Sequence, residues 1–282
     1  MFRAIRVIKT IRSIRIKNMP DLTKLIGLNT ILGQSNRLNF GEEVSFDKMS
    51  IRTFADLKSV AADQTLDLSD DPAYLMYRNV RKKGDEDKIK NRGLRFDLTV
   101  IPPAMIGKEF IKTSGHYHPK KPGTAYSYPE LYFVISGQAT YLLQKRSVGE
   151  AVDDVILIRA SSGTPVLIPP DYGHITINEL DQPLVMANWV EATFESIYSP
   201  YEDLRGAAYY IEDEFGKSKI VSNPKYMNLP PAREMKSNPI LFTEAEGKPI
   251  YDYLTFENLN SLVDIETYAR QLSPERVFED VK

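Results

Sequence analysis

The stretch Ser114-Gly115-His116-Tyr117-His118 carries two of the three histidines of the chain, with one residue between them. On a β-strand this spacing points both imidazoles to the same face of the sheet. The glycine before them allows another group to approach the backbone closely. The stretch is therefore interpreted as a strand that presents a pair of histidines to one site.

Two further side chains can join this pair. Glu130 begins the next predicted strand, after the proline-containing loop 119–129, and His174 begins another strand after the turn 169–173. Inside a small barrel the four side chains would offer three imidazole nitrogens and one carboxylate, a donor set that suits divalent iron, manganese, cobalt, nickel or zinc. The alternative is that each histidine is a buried side chain satisfied by a local hydrogen bond.

Residues 94–222 consist of short β-rich runs separated by Gly, Pro, Asn and Asp. This pattern predicts an all-β sandwich or barrel. Strands and helices do not alternate along the sequence, so a parallel α/β sheet is not expected. The ten predicted strands are 96–101, 109–113, 130–135, 139–145, 154–158, 165–168, 174–178, 184–190, 207–211 and 219–221.

The segments outside this region differ in character. Residues 1–18 combine isoleucines with basic side chains and contain no acidic residue, so we expect a basic extension, disordered unless it is a targeting peptide or a membrane-surface helix. Residues 50–62 predict a short helix with Ser50 as its N-cap. We expect one main domain over 19–225 and an irregular, helical C-terminal extension over 226–282.

Composition excludes several kinds of chemistry. The 282-residue chain has no cysteine, so it cannot hold disulfides, zinc–thiolate sites, iron–sulfur clusters or a cysteine nucleophile. Its formal net charge of −2 gives no basic footprint for a nucleic-acid partner. No apolar run reaches the ~18 residues of a membrane span, so no membrane association is expected.

The motifs around the histidines resemble those of the cupins. Pro169, Gly173-His174 and Asn178 match the second cupin motif. In the first motif Glu130 lies farther from His118 than in the general cupin pattern, because the loop 119–129 is inserted. The resemblance implies a double-stranded β-helix, the jelly-roll barrel of cupins, here with a short N-terminal helix and a C-terminal extension.

Longer motifs are similar to cupin-type glucose-6-phosphate isomerase, over about residues 50–222. They are TSGHYH (113–118), YPELY (128–132), YLLQ (141–144), GHITIN (173–178) and PLVMANW (183–189). The resemblance implies a metal-dependent enzyme of glycolysis and gluconeogenesis that interconverts glucose 6-phosphate and fructose 6-phosphate. It also implies a cytoplasmic homodimer with a hexose phosphate as its substrate.

The same resemblance implies roles for individual residues. One divalent ion per subunit, Fe²⁺ or else Mn²⁺, Ni²⁺, Co²⁺ or Zn²⁺, would be held by His116, His118, Glu130 and His174. The substrate phosphate would be bound by Thr99, Thr113, the Gly115 backbone, Tyr77 and Tyr198.

Glu130 and Tyr132 are the expected catalytic side chains. Glu130 would move a proton from C2 to C1 through an enediolate, and Tyr132, on the same strand face, would hydrogen-bond a sugar hydroxyl. Metal ligation lowers the basicity of a carboxylate, so a hydride shift with Glu130 purely as a ligand stays open. Two other functions also stay open, namely another metal-cupin enzyme (an oxygenase or a different sugar-phosphate isomerase) and a non-catalytic sugar-phosphate-binding cupin.

Overall fold

The computed structural model describes residues 19–147, 151–238, 242–243 and 246–281, and the predicted basic extension 1–18 lies outside this range. The strands are β1 (Thr30–Leu32), β2 (Leu38–Phe40), β3 (Val44–Ser45), β4 (Lys48–Thr53), β5 (Pro72–Arg78), β6 (Arg81–Lys82), β7 (Leu94–Ile101), β8 (Met105–Ile106), β9 (Glu109–Phe110), β10 (Glu130–Ser136), β11 (Gln138–Arg146), β12 (Val152–Ser161), β13 (Pro165–Ile168), β14 (Tyr172–Ile177), β15 (Leu184–Glu191), β16 (Tyr209–Glu214), β17 (Lys217–Ser222), β18 (Arg233–Ser237) and β19 (Phe278–Asp280).

Helices are short and lie around the strands. The α-helices are α1 (Thr23–Ile26), α2 (Glu86–Asn91), α3 (Ser199–Asp203), α4 (Ile265–Tyr268) and α5 (Pro274–Val277), and 3₁₀ turns cover Gln34–Asn36, Ala55–Val60, Ile250–Thr255 and Glu257–Leu262. Among the described residues no helix is long and apolar enough to cross a bilayer.

Two larger sheets form the barrel. One has the strand order β13-β10-β15-β7-β5-β4 and the other has the order β14-β11-β12-β18-β19. Their side chains meet in one apolar core, where the ring centroids of Tyr132 on β10 and Tyr141 on β11 are 5.4 Å apart. The predicted all-β jelly-roll barrel is confirmed, and each of the ten predicted strands overlaps an observed strand.

Antiparallel register in the six-stranded sheet arranges its side chains in rows across β7, β15 and β10. One row runs from Arg95 through Val190 to Glu130, and the next runs from Asp97 through Asn188 to Tyr132. Thr99 lies one row further along, opposite Met186 on β15 and Met76 on β5. The row in which a residue lies sets the position of its side chain along the strands of the barrel.

The predicted helix over 50–62 is wrong in its first half. Ser50 lies inside β4, where it pairs with Met76, and is not an N-cap. A 3₁₀ turn over Ala55–Val60 follows, with Leu57 and Val60 buried. Serine favours N-cap positions, but pairing with β5 holds Ser50 in an extended strand.

The C-terminal region packs directly on the barrel. β18 adds to the five-stranded sheet by parallel pairing with β12, and β19 pairs with β18. The indole of Trp189 donates a hydrogen bond of 2.8 Å to the Ile250 carbonyl. The expectation of an irregular, helical extension missed the two strands.

Candidate metal centre

Backbone pairing brings two distant histidines together. The His116 amide donates to the His174 carbonyl at 3.2 Å, and the His174 amide donates back at 3.0 Å. Gly115 precedes this bridge with φ of 75°, and a Cβ there would lie 2.4 Å from Ile175 Cγ1. Glycine is favoured for both reasons, since the left-handed backbone is strained for other residues and a Cβ would clash with Ile175.

The four predicted ligand side chains converge at one point. His116, His118, Glu130 and His174 each offer one ligand atom, and these atoms all lie within 4.8 Å of one another. Glu130 Oε2 lies 3.4 Å from His118 Nε2 and 3.3 Å from His174 Nε2. His116 Nε2 lies 3.1 Å from His118 Nε2. A cluster this tight is the arrangement that a single ion would occupy.

Two observations test whether these residues fit a metal. His118 Nδ1 lies 2.8 Å from the Tyr128 carbonyl, so it carries the proton, and the lone pair of Nε2 faces the cluster. Glu130 Oε2 is buried and has no hydrogen-bond donor among the described residues. A buried acceptor of this kind needs a partner, and a cation facing the imidazole lone pairs would supply it. The residues therefore fit a divalent ion.

Protonation states agree with this fit. Burial lowers the pKa of His116 well below its ordinary value, and the neighbouring His174 and His118 lower it further. Burial also lowers the pKa of His174. For Glu130 burial raises the pKa, but the adjacent His118 and His174 imidazoles outweigh it and the net direction is well below the ordinary value. Neutral imidazoles and an ionised carboxylate at neutral pH are the forms that bind metals.

A cavity of about 610 Å³, including its open mouth, adjoins the cluster. The cavity wall brings together five further residues singled out from the sequence, namely Thr99, Thr113, Gly115, Tyr132 and Tyr198. The Tyr132 hydroxyl lies 3.3 Å from His174 Nε2, and the Tyr198 ring centroid is 5.6 Å from that of His116.

Tyr77 is a correction to the expected phosphate-binding set. Side chains alternate along β5, and Tyr77 faces away from the cavity, where its hydroxyl accepts a hydrogen bond from the Leu38 amide at 2.9 Å. Its ring packs edge-on against Phe40 and Phe46. Tyr74 is on the cavity side of the same strand, with its hydroxyl 3.3 Å from Ser114 Oγ.

Sequence reasoning also missed a charged group in the cavity wall. Arg78 and Arg95 line the cavity, and both pair with the buried carboxylate of Asp97 at 2.6 and 2.9 Å. A signal was available, since Arg95 and Asp97 precede Thr99 on one strand by four and two residues. Side chains at that spacing share a strand face, so a strand that presents Thr99 also presents them.

Comparison with known proteins agrees with this site. The profile of the family "Glucose-6-phosphate isomerase (GPI)" matches residues 51–227. "Glucose-6-phosphate isomerase" of Thermococcus onnurineus (strain NA1) is 31% identical over 183 residues, which cover 64% of this chain and 88% of the relative. The protein of that name in Thermococcus litoralis is 30% identical over 199 residues, 66% of this chain and 96% of the relative.

Solved structures give a partial likeness. Oxalate decarboxylase from Bacillus subtilis matches with a TM-score of 0.31 and 19% identity, over 44% of this chain and 27% of that one. The match to the family profile spans well over half of the chain and includes all four residues of the metal cluster. The chain therefore belongs to the glucose-6-phosphate isomerase family.

Proposed function

We propose that this protein interconverts D-glucose 6-phosphate and D-fructose 6-phosphate, as an enzyme of glycolysis and gluconeogenesis. The observation that carries the proposal is the cluster of three histidines and one glutamate, with ligand atoms within 4.8 Å, in the wall of a hydroxyl-lined cavity of a member of this family. A hexose phosphate suits such a cavity, because convergent polar groups fix the orientation of a small ligand.

The metal ligands in this proposal are His116, His118, Glu130 and His174, with one divalent ion per subunit. Fe²⁺ is our choice, and Mn²⁺, Ni²⁺, Co²⁺ and Zn²⁺ are the alternatives that the same nitrogen and oxygen donors accept. When bound, the ion would polarise the substrate oxygens and stabilise negative charge that develops on them.

Glu130 and Tyr132 supply the remaining chemistry. Glu130 takes the proton from C2 and returns it at C1, and a proton passes from the C2 hydroxyl to the C1 oxygen, so that an aldose becomes a ketose through an enediolate. Burial raises the pKa of Tyr132 well above its usual value, and the charge of Glu130 raises it further. The phenol therefore stays protonated and donates a hydrogen bond to a substrate oxygen.

The phosphate of the substrate binds in the part of the cavity that lies away from the sugar carbons C1 and C2. We assign its binding to Thr99, Thr113, the Gly115 amide and Tyr198, and we substitute Tyr74 for Tyr77. Support comes from the hydroxyl groups that these side chains offer in one cavity wall, together with the glycine whose lack of a side chain allows close approach.

The two tyrosines of β5 make a matched pair of variants. Tyr74→Phe removes a cavity hydroxyl that also accepts from the Ser114 amide at 3.3 Å. We therefore expect a lower free energy of unfolding and a KM for fructose 6-phosphate that rises by about tenfold, the effect of losing one hydrogen bond to a charged group. Tyr77→Phe leaves the buried Leu38 amide without its acceptor, so we expect unchanged KM and a free energy of unfolding lower by about 1–3 kcal/mol. Steady-state kinetics and urea unfolding measure both. The assignment of Tyr74 is contradicted if KM is unchanged in Tyr74→Phe or rises as much in Tyr77→Phe.

A coupled assay tests the function itself. Glucose 6-phosphate formed from fructose 6-phosphate is oxidised by a dehydrogenase, and NADPH is followed by absorbance. Oxygen uptake by the Fe²⁺-loaded protein, measured with the same sugar and with small organic acids, tests the oxygenase alternative. Binding of fructose 6-phosphate without turnover would instead indicate a non-catalytic sugar-phosphate-binding protein.

We further propose that residues 19–225 form the isomerase domain and 226–282 an extension, and that the protein acts as a homodimer in the cytoplasm. The similarity of the sequence to cupin-type isomerases supports the dimer and its compartment. Sedimentation velocity of the purified chain measures the oligomeric state.

A further inference from the structure

We propose that Arg78 and Arg95 form a second anion subsite in the cavity, which binds a second phosphate at the C1 end of a sugar bisphosphate. The inference depends on the proposed function in one respect, namely that the 6-phosphate lies near Thr99 and Thr113. It adds a class of ligand, the hexose bisphosphates, that would compete with the substrate for the same cavity.

Asp97 holds the two arginines in place. Its side chain is fully buried, accepts from Arg78 Nη1 at 2.6 Å and from Arg95 Nε at 2.9 Å, and also accepts from the Asn79 amide at 2.8 Å. A buried carboxylate is stable only when it is paired, and here one carboxylate is shared by two cations. The cluster therefore keeps a net charge of about +1, with both guanidinium groups held at fixed positions.

The arginines keep donors that Asp97 does not use. Their side chains are 28% and 29% exposed, and both line the cavity. Among the described residues, the terminal amino groups of Arg95 have no hydrogen-bond partner, and Arg78 Nη2 contacts only the weak acceptor Met76 Sδ, at 2.9 Å. Guanidinium groups with free donors bind phosphate by paired hydrogen bonds, which an isolated lysine cannot do.

Strand register sets the position of the two arginines along the barrel, relative to the metal centre. Arg95 shares a row with Glu130, two strands away across β15, so their Cα atoms are separated by about 10 Å. Asp97 shares the next row with Tyr132, whereas Thr99 lies one row beyond. The arginines, on β5 and β7, are thus level with the metal centre, and Thr99 lies one row further along β7.

A ligand that reaches from Thr99 to the two arginines would satisfy the polar groups at both places. With its 6-phosphate near Thr99, a hexose presents C1 and C2 at the level of the metal centre and of the arginines. A neutral C1 hydroxyl leaves the surplus positive charge of the arginine pair uncompensated, and a C1 phosphate compensates it. The cavity should therefore favour a bisphosphate over the matching monophosphate.

Isothermal titration of the metal-loaded protein with two unreactive ligands tests this preference. The probes are glucitol 6-phosphate and glucitol 1,6-bisphosphate, and the readout is the ratio of their dissociation constants. We expect the wild-type protein to bind the bisphosphate at least about tenfold tighter, and the ratio to fall at least about tenfold in Arg78→Gln and in Arg95→Gln. Arg78→Lys should give an intermediate ratio, since it keeps the charge but loses the planar fork.

Arg159→Gln is the matched control. It removes the same charge from a side chain that is 33% exposed and pairs with Glu234 on the outer surface, so the ratio should not change. Each single variant leaves Asp97 with one arginine, and thermal unfolding checks that the fold is retained. No preference in the wild-type protein, or an unchanged preference in both glutamine variants, would overturn the proposal. Because binding is measured without turnover, a missing isomerase activity would count against the proposed function and not against this subsite.

Discussion

Replacing His118 by alanine is expected to remove the bound metal ion and to lower kcat/KM by more than about a hundredfold. Loss of a group that only orients a metal ligand lowers metal affinity or activity about 10–100-fold, and loss of a direct ligand should lower them further. The other two histidines of the chain are already in the cluster, so no spare imidazole can replace the lost one. Metal content by emission spectrometry and the coupled assay on the same preparation measure both effects.

A neighbouring substitution provides the control. Lys120 follows His118 by two residues, but its side chain is 61% exposed and pairs with Asp171 at the surface. Lys120→Ala should therefore retain the metal and most of the activity, since an exposed ion pair contributes only about 0–1 kcal/mol to stability. Full activity of His118→Ala in metal-free buffer would contradict the assignment of His118.

Glu130→Gln is expected to lower kcat by about 10²–10⁴-fold, the usual contribution of a positioned general acid–base group. The amide has nearly the shape of the carboxylate, but it can neither accept the C2 proton nor supply the negative charge that faces His118 and His174. Metal affinity should fall as well, so kcat must be measured at saturating metal. Tyr132→Phe, which keeps the carboxylate, should cost less than Glu130→Gln.

An isotope experiment separates the two roles of Glu130. Glucose 6-phosphate with deuterium at C2 is converted to fructose 6-phosphate in ordinary water, and deuterium at C1 of the product is measured by mass spectrometry. Proton transfer through the carboxylate predicts partial loss of deuterium to solvent. Complete retention is the result that a hydride shift predicts, with Glu130 as a metal ligand only.

The barrel and the metal cluster could be predicted from sequence because both have short-range signals. Strand alternation and turn residues mark the ten predicted strands. The spacing of His116 and His118 fixes their common side, Glu130 is the first residue of β10, and His174 lies in the first half of β14, directly after a recognisable turn. Each of these features can be recognised within a few neighbouring residues.

The errors come from features that depend on distant partners. Tyr77 and Tyr74 differ by three residues on β5, so they face opposite sides of the sheet, and only pairing with β7 shows which side meets the cavity. Ser50 is extended because β5 pairs with it. Strand β18 forms by parallel pairing with β12, from which it is separated by more than seventy residues. A local pattern contains no information about such contacts.

The central claim is that an ion held by three histidines and Glu130 supports interconversion of the two hexose phosphates. The direct measurement is metal stoichiometry and isomerase rate on one preparation, as purified, after chelation, and after titration with Fe²⁺ and the alternative divalent ions. We predict that the metal-free protein is inactive and that activity returns in proportion to bound metal, reaching its maximum at about one ion per subunit. Full activity in the metal-free protein, or stoichiometric rebinding without any isomerase activity, would contradict the account.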